Sequence, residues 1–208
     1  MARVGIGVRD HSGWAVAVAV AARRGGVDVV DRRRLLLCPE RVPRMMFHAA
    51  AQGPPAGAAS AIELAERSVQ ECTARAVTEI TEALAGGGHT VAGIAVAHGP
   101  PRLPCDLDGI LASHAFVHAA EADLYRRALV ERAEAAGLRV VRYAPKTAIA
   151  DAAAATGTRP EQLEATLSAV GEELGPPWQK DHREAVAAAL VVLAGRGADR
   201  PSPPSRRR

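Results

Sequence analysis

Apolar and polar positions in the first part of the chain predict three β-strands joined by short links. The apolar segment Val4–Val8 is followed by a polar stretch that ends at Gly13, and a second apolar run begins at Trp14. Small and β-branched residues on both sides of such a link are typical of a β-hairpin. A third strand is predicted at 27–37, after the Gly-Gly turn at 25–26. Strands that follow each other this closely favour an antiparallel meander.

Strand-like and helical patterns alternate after the meander. An irregular segment rich in proline and glycine is predicted at 38–57, before a helix in which apolar residues recur at helical spacing from Ile62 to Leu84. The remaining strands are predicted at 91–97 and 138–143, and the remaining helices at 117–136, 146–154, 159–174 and 181–194. The predicted fold class is therefore α/β, with an apolar last helix packed against a mixed sheet.

Composition indicates one folded domain with a short basic tail. The chain has 208 residues, is 48% hydrophobic and carries a formal net charge of +3. Four arginines and one aspartate lie among the prolines and serines of residues 197–208, so the rest of the chain is close to neutral. A segment without apolar residues cannot bury surface, which predicts a domain over 1–196 and a disordered tail over 197–208. The tail can attract nucleic acid, although a solvated chain end is the simpler interpretation.

Cysteine usage and hydropathy indicate the cellular compartment. Cys38, Cys72 and Cys105 are widely spaced and form no CxxC pair, which disfavours a disulfide framework and a zinc knuckle. No apolar run approaches the roughly 18 residues of a membrane span, and the start of the chain is typical of a strand rather than a signal peptide. We therefore expect a soluble cytoplasmic protein with no membrane partner.

The order of predicted elements and the acids that open the last helix resemble the ribonuclease H-like superfamily. The resemblance rests on Gly5–Val8, on Gly13–Val16 and on Asp181 with Glu184. Within the superfamily the chain is most similar to the RuvC crossover-junction resolvases and the YqgF-like nucleases. The resemblance implies a mixed sheet flanked by helices, with extra helices before the last one. It also implies a metal-dependent endonuclease that uses Mg²⁺ or Mn²⁺ and acts on structured DNA or RNA.

The chain departs from the acidic pattern of that superfamily at two of three positions. Gly7 stands where the first strand carries an aspartate, and His98 follows the fourth strand where a second acid is usual. Asp181 and Glu184 match the spacing of the acids on the last helix, with Glu in place of the second Asp. Two-metal hydrolysis needs several oxygen ligands around two ions about 4 Å apart. The sequence therefore predicts a degenerate site and leaves open whether the protein is an enzyme.

Five acidic and histidine residues are the candidates for completing such a site. The catalytic candidates are Asp181, Glu184 and Asp10, which is the acid nearest to position 7 but lies about 10 Å further along an extended strand. The predicted metal ligands are Asp181, Glu184, His98 and His182, and imidazole would favour Zn²⁺, Mn²⁺ or Fe over Mg²⁺. Asp181 and Glu184 also have a structural explanation, because acids in the first turn of a helix favour its dipole.

The other histidines have weaker patterns. His11, His98 and His182 are expected near the same end of the sheet, where they would form a competing metal-binding group, although a hydrogen-bonding role is favoured for each histidine alone. His114 and His118 lie four residues apart, but no HExxH pattern surrounds them, so helix capping or an interface is the favoured interpretation. The segment 45–48, Met-Met-Phe-His, could contact a ligand or a second subunit, or it could simply pack a loop onto the core.

Three functions are compatible with these observations. The first is a divergent nuclease or nucleic-acid-processing protein acting on structured DNA or RNA, with Arg142 and Lys146 as candidate phosphate contacts. The second is a catalytically inactive ribonuclease H-like protein that serves as a binding or oligomerisation module. An actin-like nucleotide-binding protein is a third alternative, but the chain is short for its two lobes. A homodimer is expected if the protein acts as a resolvase, because two copies are needed to cut two strands symmetrically.

Overall fold

A β-sheet forms the centre of the molecule. The computed structural model describes residues 2–23, 26–54, 56–99 and 102–195, and the predicted tail at 197–208 lies outside them. The strands are β1 (Ala2–His11), β2 (Trp14–Arg23), β3 (Gly26–Leu36), β4 (His89–Ala97) and β5 (Val140–Tyr143). They form one sheet in the order β3-β2-β1-β4-β5.

The sheet is mixed, as the sequence predicts. Strands β1, β2 and β3 form an antiparallel meander, whereas β4 pairs parallel to β1 and β5 pairs parallel to β4. The β1–β2 hairpin closes through Ser12 and Gly13, with His11 opposite Trp14. Gly13 has a φ of 84°, a left-handed conformation that glycine adopts without steric strain. The carboxyl ends of β1 and β4 consequently lie side by side at one edge of the sheet.

Seven helices cover the two faces of the sheet in the described part of the chain. They are α1 (Met46–Gln52), α2 (Ala58–Gly86), α3 (Leu107–Leu111), α4 (His114–Ala135), α5 (Ala148–Thr156), α6 (Pro160–Leu174) and α7 (Lys180–Leu193). The five longer predicted helices are confirmed within a few residues at each end. The short helices α1 and α3 lie in segments where no helix was predicted, because one or two turns carry too few residues to show a period.

Each face of the sheet has its own hydrophobic core. Val4, Ile6 and Val8 of β1 point to one face, where they pack with apolar residues of α1, α2 and α4. The other face packs Val16 and Val18 of β2 against helices α5, α6 and α7. In the described ranges, no helix has both the length and the apolar character needed to cross a bilayer.

Candidate active site

Helix α7 lies directly on the backbone of β1. The alternation of side chains along a strand places Gly5 and Gly7 on the face opposite Val4 and Ile6. A Cβ atom at Gly7 would overlap the carbonyl oxygen of Ala185 and stand 2.9 Å from the amide nitrogen of Ala189. The two glycines therefore allow the helix to approach the strand closely. The space that an aspartate side chain at position 7 would need is filled by the backbone of α7.

Arg9 continues the same face of β1 and meets the first turn of α7. Its Nε atom donates to Glu184 Oε2 at 2.9 Å and lies 3.9 Å from Asp181 Oδ1. Burial alone would lower the pKa of Arg9, but Asp10, Tyr143 and Glu184 together raise the pKa above its ordinary value. Arg9 is consequently a permanent cation between the two acids, of which Glu184 is buried.

Lys180 and His11 are further partners of these acids. The imidazole Nε2 of His11 lies 2.8 Å from Asp181 Oδ2, and the Lys180 ammonium lies 3.6 Å from Glu184 Oε1. The His11 ring also stacks on Trp14, with ring centroids 4.1 Å apart. Both carboxylates that open α7 therefore have side-chain partners within the protein itself.

Asp10 lies on the other face of β1. Its Oδ2 atom accepts a 2.8 Å hydrogen bond from Arg126 Nε of α4, and Arg126 Nη1 donates to the backbone oxygen of His98. Asp10 is 5% exposed, and its Oδ1 atom is buried with no partner among the described residues. The strand backbone thus separates the Asp10 carboxylate from Asp181 and Glu184, because adjacent side chains on a strand point to opposite faces.

The two predicted histidine ligands occupy different environments. His98 is exposed, and its backbone N–H donates to Tyr143 at the end of β5. His182 is buried, and its Nδ1 atom accepts the Gln179 backbone N–H at 3.2 Å, so the ring caps the start of α7. Burial, with Arg32 nearby, lowers the pKa of His182 although Asp181 raises it. His182 is therefore held neutral, with one ring nitrogen already used.

A pair of divalent ions does not fit this donor set. Of the three acids predicted for catalysis, two are bound to Arg9 and His11 and the third is bound to Arg126 on the opposite face. A two-metal centre instead requires several carboxylate oxygens that converge on both ions. A bound ion needs ligand atoms that lie close together. Among the described residues, no three of the predicted ligands Asp181, Glu184, His98 and His182 bring their ligand atoms within 4.8 Å of one another.

Sequence reasoning missed the residues that organise this site. Arg9 lies two positions after Gly7, so strand alternation alone could have placed it on the face of α7. Arg126 contacts Asp10 across 116 positions of sequence, and no local pattern indicates that contact. The one group of three histidines that the described residues bring together consists of His48, His114 and His118. Only the spacing of His114 and His118 is visible in the sequence.

Comparisons with known proteins bear on the fold. No protein-family model and no curated protein matches the chain. A structure of T. thermophilus RuvC in complex with a Holliday junction substrate matches at a TM-score of 0.50 and 16% identity, over 93% of this chain and 94% of that chain. A further Thermus thermophilus RuvC structure matches at a TM-score of 0.47 and 15% identity, with the same two coverages.

The likeness to the junction-bound RuvC extends over nearly the whole length of both chains. The mixed five-stranded sheet with helices on both faces has the ribonuclease H-like fold of RuvC. The fold predicted from the order of elements is thus confirmed.

Proposed function

We propose that this protein is a ribonuclease H-like binding module that works without metal-ion catalysis, and that its partner is structured DNA or RNA. The observation that carries the proposal is the position of Arg9, whose guanidinium lies 2.9 Å from Glu184 and 3.9 Å from Asp181. A fixed cation at this place supplies the positive charge that a metal ion would otherwise bring. It can hold the acids in place, but it cannot activate a water molecule.

The surface next to Arg9, Asp181 and Glu184 carries positive charges that could bind phosphate groups. Lys180 and Arg183 in the first turn of α7 are exposed, and the Arg34 guanidinium lies 4.0 Å from the centre of the Trp14 ring. Trp14 in turn stacks on His11, which pairs with Asp181. Exposed cations beside an aromatic ring favour contacts with a nucleic-acid backbone and its bases. The RuvC structure bound to a Holliday junction makes a branched duplex the first ligand to test.

The double variant Lys180→Gln/Arg183→Gln is expected to weaken binding of a four-way DNA junction. The logarithm of the binding constant falls linearly with the logarithm of the salt concentration, and each phosphate contact adds about 1 to the magnitude of that slope. Loss of two phosphate contacts should therefore reduce the magnitude of the slope by about 2. Fluorescence anisotropy at several salt concentrations measures both effects. The matched control is Arg67→Gln/Arg75→Gln, which removes the same charge from exposed positions of α2. Equal binding by the two double variants would contradict the proposed surface.

A divergent RuvC-like or YqgF-like nuclease is the second candidate function. It would use Mg²⁺ or Mn²⁺ with Asp10, Asp181 and Glu184, supported by His98 and His182. One observation favours it: within the described residues, the buried Oδ1 atom of Asp10 has no partner, so that this carboxylate keeps an unused ligand atom. Opening of the Arg126 and Arg9 ion pairs would have to precede metal binding.

Mg²⁺ and Mn²⁺ at millimolar concentration are expected to change the melting temperature by less than about 1 °C, since the acids of α7 already have cationic partners. Calorimetry should be carried out on a His114→Gln/His118→Gln background, which removes the histidine cluster as a source of metal binding. A rise of several degrees that disappears on Asp181→Asn would contradict the binding-module proposal. Metal-dependent cleavage of a branched duplex would do so independently.

A further inference from the structure

Three histidines from two helices meet on the face of the sheet opposite α7. His48 belongs to α1, and His114 and His118 lie one turn apart at the start of α4. The ring centroid of His118 is 4.4 Å from those of both His48 and His114, and the third pair of centroids is 5.5 Å apart. One nitrogen from each ring lies within 4.8 Å of the other two. One nitrogen of each ring can therefore point toward a common position between the three side chains.

Among the described residues, His48 makes no side-chain hydrogen bond that would explain its position. Its side chain is 14% exposed, and among the described residues neither ring nitrogen has a hydrogen-bond partner. A buried polar group without a partner is unfavourable, and nearby His114 and His118 add no hydrogen bond to it. A cation bound by the three rings would satisfy a nitrogen of each.

We propose that His48, His114 and His118 form a binding site for a borderline transition-metal ion, with Zn²⁺ as the best fit. Three neutral imidazoles and one open position are an established donor set for Zn²⁺, with nitrogen-to-metal distances of about 2.0–2.1 Å. Tetrahedral ligands at that distance are separated by roughly 3.4 Å. Small side-chain rotations that draw the nitrogens inward would complete the set. Because His114 and His118 are exposed, the fourth position faces solvent and can hold water.

Glu121 is placed to support this site from behind. Its Oε1 atom lies 3.9 Å from His48 Nδ1 and also accepts the backbone N–H of Phe47. A carboxylate that receives the second N–H of a ligating histidine fixes the ring orientation and makes the other nitrogen a better donor. Glu121 is 2% exposed, so the surrounding protein holds its side chain in place. We assign it as a positioning residue, which would accept a hydrogen bond from His48 Nδ1 once the ring moves closer than 3.9 Å, and not as a ligand of the ion.

The metal would fasten α1 to α4. Helix α1 has only seven residues, so it depends on tertiary contacts for its stability. A bond from His48 through the ion to α4 would add such a contact, and metal binding would appear as added folding stability. The histidine site lies on the face of the sheet opposite Arg9, Asp181 and Glu184. Metal binding at the histidines therefore does not depend on the function proposed above.

Co²⁺ and Zn²⁺ added to the full-length protein test this site. Co²⁺ is expected to give the intense visible absorption of a tetrahedral complex at one equivalent, and Zn²⁺ is expected to displace it. Zn²⁺ at about one hundred times its dissociation constant should raise the melting temperature by about 5–10 °C. The exposed substitutions His114→Gln and His118→Gln should each abolish both signals, whereas His89→Gln, at the start of β4, should retain them.

Glu121→Gln separates the positioning role from simple packing. This variant is expected to bind Zn²⁺ at least about tenfold more weakly, while Glu131→Gln on the exposed side of the same helix should bind like the original protein. Three results would overturn the proposal: no cobalt spectrum, Zn²⁺ binding that survives His118→Gln, or equal zinc affinity in the Glu121 and Glu131 variants. The first two would exclude the metal site, and the third would exclude the role of Glu121.

Discussion

Gly7→Asp, which would restore an acid to the first strand, is expected to lose more than about 3 kcal/mol of unfolding free energy. The new Cβ would overlap the carbonyl oxygen of Ala185 and lie 2.7 Å from its carbonyl carbon. Both obstacles are backbone atoms of α7, which cannot yield by a change of rotamer. The added carboxylate would also be buried next to that backbone. Urea unfolding followed by circular dichroism measures the loss, and Gly7→Ala should already show most of it.

Gly86→Ala is the matched control for this prediction. Gly86 lies at the end of α2, and a Cβ there would meet nothing within 4 Å. The change should leave stability within about 1 kcal/mol of the original, with a small gain from helix propensity. A Gly7→Asp protein as stable as the Gly86→Ala protein would mean that the helix and strand can separate to admit an acid.

Arg9→Met is expected to cost about 3 kcal/mol, because it leaves the buried Glu184 carboxylate without its guanidinium partner. Methionine keeps much of the apolar length of the side chain, so the loss reports chiefly on charge and hydrogen bonding. The same unfolding assay applies. Adding Glu184→Gln to Arg9→Met should recover more than about 1 kcal/mol, since it removes the buried charge that has lost its guanidinium partner.

The exposed pair of Arg127 and Glu66 provides a comparison for the Arg9–Glu184 pair. Their side chains are 49% and 35% exposed at an N–O distance of 2.8 Å, and exposed pairs contribute little. Arg127→Met should therefore change stability by no more than about 0.5 kcal/mol. The role of the Arg9–Glu184 ion pair would be contradicted by either of two results. One is a loss of stability in Arg9→Met as small as that in Arg127→Met, and the other is no recovery of stability when Glu184→Gln is added to Arg9→Met.

The sheet and the long helices could be predicted because their signals are local. The hairpin at Gly13 is predicted by a polar link between two apolar runs. Helix α2 is predicted by apolar residues at helical spacing from Ile62 to Leu84, over about six turns. The last helix, apolar on nearly every side, had to be buried. A regular alternation of such elements along the sequence has few ways of packing. The α/β class and the long elements therefore follow from the sequence pattern, and the ribonuclease H-like topology follows from the resemblance of their order to that superfamily.

The candidate site could be predicted only in part, because its contacts join distant segments. The spacing of Asp181 and Glu184 is visible in the sequence, but their partner Arg9 lies 175 positions away from Glu184. The sequence pattern presents Gly7 as a missing acid, whereas its neighbours in the structure show that this glycine also allows α7 to approach β1 closely. His48 lies in a segment predicted to be irregular, so its meeting with His114 and His118 required the tertiary structure.

Manganese relaxation of backbone amides is the most direct test of the claim that the acids of α7 bind protein cations and not metal. In the His114→Gln/His118→Gln background, Mn²⁺ should leave the amide signals of residues 181–184 no broader than those of other exposed helix starts. Paramagnetic broadening decays steeply with distance, so it would locate an ion at these acids directly. Selective broadening of that turn, abolished by Asp181→Asn, would contradict the claim.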